Sequence, residues 1–253
     1  MGASVPTKPA PLASALTTVH AQLEDDVARW LDDGGPLDGE LVRRIERAAL
    51  FQQRIYRKMT RSPRLGRAAL NRLARPLRIR AEANFDAGYG LSAGLVPLKP
   101  PVRLETTEPE SPHRLLVFYR GAERRFEVDW EILAAVNFVE TRFGRILGPS
   151  SAGALGPMQF LPSTWERYGG GGDILDPRDA ILGAARYLRA SGALNDPGSA
   201  LFAYNHSDAY VEAVLTYARQ IEARPQAFYE YYFWQVFVRT TKGDMQLTGP
   251  GAT

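Results

Sequence analysis

The chain contains no cysteine and only three histidines, His20, His113 and His206. The missing thiols exclude disulfides, thiolate zinc sites, iron–sulfur clusters and cysteine nucleophiles. Three scattered imidazoles leave little material for a histidine metal site or triad. No apolar run reaches the roughly 18–20 residues that a membrane-spanning helix needs. Alternating strand patterns are almost absent, the one weak candidate being Val236–Thr240. Acidic residues are missing from Phe51 to Ala81, where ten basic residues fall.

What is present is ordinary for a globular protein. The 253 residues are 45% hydrophobic and 23% charged, with a net charge of +3. That length suits one large domain or two small ones. The charge is uneven: 5 basic against 8 acidic residues in 1–50, 11 against 2 in 51–100, and 15 against 18 in 101–253. The basic run reads first as solvated helix faces and second as a contact for an anionic polymer. No nucleic-acid motif accompanies it, so nucleic acid is not expected as a partner.

Helical periodicity dominates, and the expected fold class is mainly α. Leu23, Val27 and Leu31 share one helix face, and Gly34-Gly35-Pro36 stops that helix. Asp38 is the expected cap of the next helix, and Ser62-Pro63 the start of a third. Residues 1–12 are small, polar and proline-rich, and read as a flexible tail without a signal-peptide pattern. Met1-Gly2 lacks the later hydroxyl residue of a myristoylation signal. Residues 13–110 read as a helical N-terminal region, with a linker over Gly88–Pro112, and residues 111–253 as a second domain. In that second part Ser111-Pro112, Asp129, Asp176-Pro177 and Ser207 open helices, Gly144 and Gly192 close them, and Ser163 with Glu166 has the spacing of a capping box.

The candidate chemistry centres on Glu140, in Val139-Glu140-Thr141-Arg142-Phe143-Gly144. A carboxyl near the negative end of an apolar helix is held protonated more easily than in water. A general acid near neutral pH needs that property, and the alternative reading is a surface glutamate paired with Arg142 or Arg145. Downstream, Ser150 to Pro162 is rich in small residues and carries Met158, Gln159 and Phe160. Gln159 offers an amide to sugar hydroxyls. Tyr204-Asn205 follows, just before the Ser207 cap. Asp173, Asp176 and Asp179 are the candidate second carboxylates, of which the last two read as helix-start acids. The C-terminal aromatics from Phe228 to Phe237 read mainly as core, with Tyr232 as the one expected to face a sugar groove.

These blocks, with Asp176-Pro177-Arg178-Asp179-Ala180-Ile181 between them, come in an order that resembles the lytic transglycosylases of bacterial peptidoglycan. They lie in the lysozyme-like superfamily, and the nearest resemblance is to the membrane-bound B type in an actinobacterial style. The resemblance covers roughly residues 115–220. It implies a lysozyme-like catalytic domain in 111–253 that cleaves the bond between N-acetylmuramic acid and N-acetylglucosamine without water. It implies Glu140 as the single acid/base and Ser150, Met158, Gln159, Phe160, Tyr204, Asn205 and Tyr232 as substrate contacts. Some members carry a calcium loop before the Asp-Pro element. Tyr168–Asp173 is glycine-rich with one acid, so neither a metal nor another cofactor is expected. The implied partners are peptidoglycan strands, with other wall polymers or wall-synthesis proteins as further candidates. The implied location is extracytoplasmic, with membrane attachment only through a segment outside this chain. Hydrolysis of the same bond, and a non-catalytic glycan-binding module, stay open as alternatives.

Overall fold

A computed structural model describes residues 4–252. Met1-Gly2 and its myristoylation reading lie outside the described residues. Eleven helices and one hairpin follow in chain order. The N-terminal four are α1 (Pro9–Asp32), α2 (Glu40–Arg61), α3 (Pro63–Leu70) and α4 (Arg75–Ala93). After a loop come α5 (Pro112–Phe126), α6 (Trp130–Thr141), α7 (Pro162–Tyr168), α8 (Pro177–Ala190) and α9 (Pro197–Tyr204). The chain ends with α10 (Asp208–Ala223), α11 (Gln226–Tyr232), β1 (Phe237–Thr240) and β2 (Gly243–Gln246). The two strands pair antiparallel with Phe237 opposite Gln246. The mainly α class and the weak strand signal near Val236–Thr240 thus both hold.

Helix α1 forms because Leu12, Leu16, Val19, Leu23, Val27 and Trp30 fall on one face, and all six are buried. It starts at Pro9 and Leu12 is fully buried, so residues 9–12 are helix rather than tail. Trp30 Nε1 donates to Pro36 O at 2.7 Å and ties down the turn that follows. Gly35 has φ +67°, and a Cβ there would stand 2.0 Å from His113 Nε2, so only glycine fits. Gly39, not Asp38, is the N-cap of α2, and Asp38 gives no capping hydrogen bond. Helix α4 runs through the expected linker as far as Ala93, which leaves 94–111 as the irregular connection.

The two halves share one hydrophobic core that takes in Leu12, Phe85, Phe138 and Trp234 together. Buried polar groups join them as well. Gln53 Nε2 donates to Gln235 O at 2.8 Å, and Gln235 N donates back to Gln53 Oε1 at 2.9 Å. Trp234 Nε1 donates to Gln52 Oε1 at 2.9 Å, and Tyr231 to Asn84 Oδ1 at 2.7 Å. Each group would cost free energy if buried without a partner, so these bonds fix how α11 docks on α2 and α4.

Ion pairs account for much of the basic run. Arg57 and Arg61 both pair with Asp244, Arg67 with Asp86, Arg78 with Glu82 and Arg80 with Glu24. Five of the ten cations therefore have intramolecular partners. Half of the run is internal charge matching between helices and hairpin, and the other half makes no ion pair among the described residues. Among the described residues no helix is long and apolar enough to cross a membrane.

Candidate active site

Helix α6 sits at the centre of the second half and is apolar almost all round, from Trp130 to Phe138. Its last turn is held by side chains. Tyr119 donates to Asn137 Oδ1 at 2.6 Å, while Asn137 Nδ2 and Thr141 Oγ1 both donate to Pro157 O, at 2.8 and 2.6 Å. Gly144 N donates to Thr141 Oγ1 at 2.8 Å. Helix end and Pro157 turn are thereby locked together beside Glu140. The helix stops through three consecutive left-handed residues, Arg142 (φ 55°), Phe143 (φ 63°) and Gly144 (φ 90°), so termination begins two residues before the expected glycine.

Glu140 is partly buried and makes no ion pair among the described residues, with Arg142 and Arg145 included. Arg145 is buried instead over the Tyr232 ring, and Arg142 lies over Phe138 at 4.3 Å. The reading of Glu140 as a paired surface glutamate therefore fails. Burial pushes its carboxyl from 4.5 up to about 7, and the Tyr210 phenol beside it pulls it partly back. Burial and the Glu140 charge together hold Tyr204 and Tyr210 well above the ordinary phenol range, so both stay protonated. The result is a carboxyl that is close to half protonated at neutral pH, facing two neutral phenols.

Tyr210 is the neighbour of Glu140 that sequence reasoning missed. Its hydroxyl is buried and has no hydrogen bond of full geometry to any described group. Its ring stands near parallel to that of Tyr204, with centroids 6.5 Å apart. The only signal in the chain was its place three residues after the Ser207 cap, whose Oγ accepts from Tyr210 N at 3.3 Å. A short cap at the start of α10 is what aims this side chain. Tyr210→Phe removes the group that stabilises the carboxylate, so the Glu140 pKa is expected to rise above its present value of about 7. Carboxyl carbon NMR titration of the labelled protein measures it, and an unchanged or lower value would contradict the pairing.

The other expected contacts divide into two sets. Tyr204 joins the site, anchored by its hydroxyl donating to Met158 O at 2.6 Å. Ser150 shapes its loop, with Oγ accepting from Ala152 N and Ala154 N at 3.2 and 3.0 Å. Gln159 adopts φ 50° and donates to Gly156 O at 3.0 Å, so its amide supports the same loop. Gly156, at φ 74°, would carry a Cβ 1.9 Å from Ile174 O, which makes glycine obligatory at this crossing. Asn205 is exposed and ends α9.

Three expected contacts are corrected. Met158 is fully buried, and Phe160 packs on Trp165, Tyr187 and Tyr204. Both side chains are core beneath the loop, where burying apolar surface outweighs offering it to a ligand. Tyr232 is buried against Phe143 and Phe233 with Arg145 over its ring, and does not line a groove.

The aspartates act as local braces. Asp176 Oδ1 accepts from Asp179 N at 2.9 Å as the cap of α8, and Asp179 Oδ2 accepts from Asp173 N at 3.0 Å. Asp173 Oδ1 in turn accepts from Leu175 N at 2.9 Å. The Ser163–Glu166 capping box does not form, because α7 begins at Pro162 with Leu161 as its cap. Among the described residues no group of three or more His, Asp or Glu side chains is placed to hold a metal ion. Cavities of about 830 Å³ between α1 and α2 and about 520 Å³ beside α4 are present, and Glu140 lines neither.

Residues 118–226 match the family model described as the transglycosylase SLT domain. The chain is 32% identical over 102 residues to the membrane-bound lytic murein transglycosylase F of Thiobacillus denitrificans (strain ATCC 25259 / T1). That match takes in 37% of this chain and 21% of the relative, so the chain spans about a fifth of the curated relative's length. The relative is of the F type, whereas the order of motifs resembles the B type. No solved structure matches.

Proposed function

We propose that this chain acts as a lytic transglycosylase of the lysozyme-like superfamily through residues 118–226, and cleaves peptidoglycan strands with Glu140 as its one acid/base. The observation that carries the reading is the Glu140 carboxyl itself: unpaired, partly buried, and raised to about 7. A carboxyl so poised gives a proton and takes one back at the same pH. It would protonate the oxygen between N-acetylmuramic acid and N-acetylglucosamine. Positive charge then grows at the muramyl anomeric carbon, where the substrate's own acetamido group can support it. Glu140, now a carboxylate, would remove the proton from the muramyl C6 hydroxyl. That oxygen closes onto the anomeric carbon and leaves a 1,6-anhydro ring, with no water consumed.

Ordinary glycosidases place a second carboxylate across the bond. The candidate second carboxylates are Asp173, Asp176 and Asp179, and each has an oxygen that already accepts a backbone N–H. That favours a mechanism with one carboxyl. Tyr210, as a neutral phenol, would orient the Glu140 carboxyl without competing for its proton, while Tyr204, whose hydroxyl donates to Met158 O, would brace the wall beside it. Ser150 and Gln159 would hold the Ser150–Pro162 loop that forms the neighbouring wall, and exposed Asn205 would meet the sugar. Glycan strands as substrate and an extracytoplasmic place of action belong to the same proposal.

The test is digestion of purified sacculi and mass analysis of the released muropeptides. Products lighter by one water than those of a muramidase are expected. Hydrated reducing ends would replace this reading by hydrolysis of the same bond. Binding to sacculi with no soluble product would replace it by a glycan-binding role.

A further inference from the structure

The cavity of about 520 Å³ beside α4 is not part of the site described above. Arg57, Arg61, Arg142 and Arg239 line it, with no acidic residue among its lining. One carboxylate, Asp244, serves both Arg57 and Arg61. Arg142 and Arg239 make no ion pair among the described residues. Four guanidinium groups thus line one cavity, and the one carboxylate paired with any of them, Asp244, meets only Arg57 and Arg61.

Arg142 is the most constrained of the four. Its backbone is left-handed at φ 55°, and its Nη1 donates to Phe138 O at 2.5 Å. Burial, with Arg57 and Arg145 nearby, brings its guanidinium down to about 10. A buried charge without a counter-charge is costly, and a group that supplied one would be held firmly. The rest of the wall mixes aromatic rings, Tyr56, Tyr89, Tyr217 and Trp234 among them, with small, polar and aliphatic residues. Guanidinium forks beside ring faces suit a planar or tetrahedral oxyanion on a small organic body.

We propose that this cavity is a second ligand site, distinct from the Glu140 site, that takes a phosphate or carboxylate group on Arg142 and Arg239 beside the Arg57–Arg61–Asp244 cluster. Its existence does not depend on the chemistry proposed for Glu140. Because Arg142 is the left-handed residue that ends α6, an anion bound there also pins the helix end that carries Glu140.

The whole chain is titrated with sodium phosphate and, separately, sodium acetate, at ionic strength held constant with sodium chloride. Thermal unfolding and tryptophan fluorescence are followed together. A ligand that binds only the folded state raises the unfolding midpoint in a saturable way. General salting effects of phosphate act alike on all variants, so differences between variants are the readout. Arg142→Gln and Arg239→Gln are expected to raise the half-saturating concentration about tenfold, as loss of one charge-assisted contact implies. Arg64→Gln, at an exposed position outside the cavity, is expected to bind as the parent does. Arg239 lies on β1 and not at the end of α6, so its variant keeps the test alive if Arg142→Gln does not fold. Saturation by acetate identifies a carboxylate source, and saturation by phosphate alone identifies a phosphate source. No saturable response in the parent protein, or equal responses of the parent and Arg239→Gln, would overturn the proposal.

Discussion

If Glu140 is the proposed acid/base, Glu140→Gln is expected to abolish release of muropeptides from sacculi while leaving the protein folded and able to bind glycan. Glutamine keeps the shape of the side chain but can neither give nor take the proton. Loss of a positioned acid–base group costs about 10²–10⁴-fold, and the proposed mechanism, in which one group serves both steps, puts the expected loss at or beyond the upper end. The same substitution carries a second signature. The folded-state pKa of Glu140 is raised from 4.5 to about 7, so between these values the folded protein binds more protons than the unfolded chain. Stability contributed by this group is then full below about 4.5 and lost as pH rises through about 7. Glutamine stays neutral throughout. The variant is therefore expected to match the parent at pH 4.5 and to unfold at higher temperature than the parent at pH 8. Substantial turnover by the variant would assign the acid elsewhere. A stability difference independent of pH would mean that the carboxyl is not held protonated by burial.

Phe138→Ala has the largest expected effect on stability. Its ring is fully buried and touches Phe143, Tyr217, Tyr231 and Trp234 at centroid distances of 4.8 to 5.7 Å. Arg142 covers another side of it. Removing a buried phenyl group from such surroundings costs about 3–5 kcal/mol. That is a large share of the roughly 5–15 kcal/mol that holds a domain folded. A fall in melting temperature of roughly 10 °C or more is expected. Phe202 is 41% exposed, and its replacement by alanine is expected to change stability by no more than about 0.5 kcal/mol. Thermal or urea unfolding of the two variants side by side measures the contrast. Equal losses would mean that Phe138 is not the centre on which α6, α10 and α11 close.

Much of the candidate site was legible before any fold. Glu140 stood out because the blocks around it come in the order of a known family, and the helix that carries it was written in local periodicity. The caps Asp176 and Ser207 were legible for the same reason, since each bonds a backbone N–H three residues on. The misread caps failed on equally local grounds. Gly39 takes a positive φ that leaves Asp38 outside α2, and Pro162 starts α7 one residue before Ser163. Met158, Phe160 and Tyr232 were misassigned because an apolar or aromatic residue beside a loop reads alike whether it faces ligand or core.

The sequence by itself determined the mainly helical class, most helix starts, the position of the acid on its helix and the exclusion of thiol chemistry. These depend on interactions within a few residues along the chain. Only the tertiary structure decided that Tyr210, seventy residues further on by number, stands against Glu140. It alone decided that Gln53 meets Gln235, and that Asp244 pairs with Arg57 and Arg61 while Arg142 and Arg239 make no ion pair among the described residues. The physical reason is one of range. A helix closes its own hydrogen bonds and needs no distant partner, whereas a buried polar or charged side chain is satisfied only by what the whole fold brings beside it.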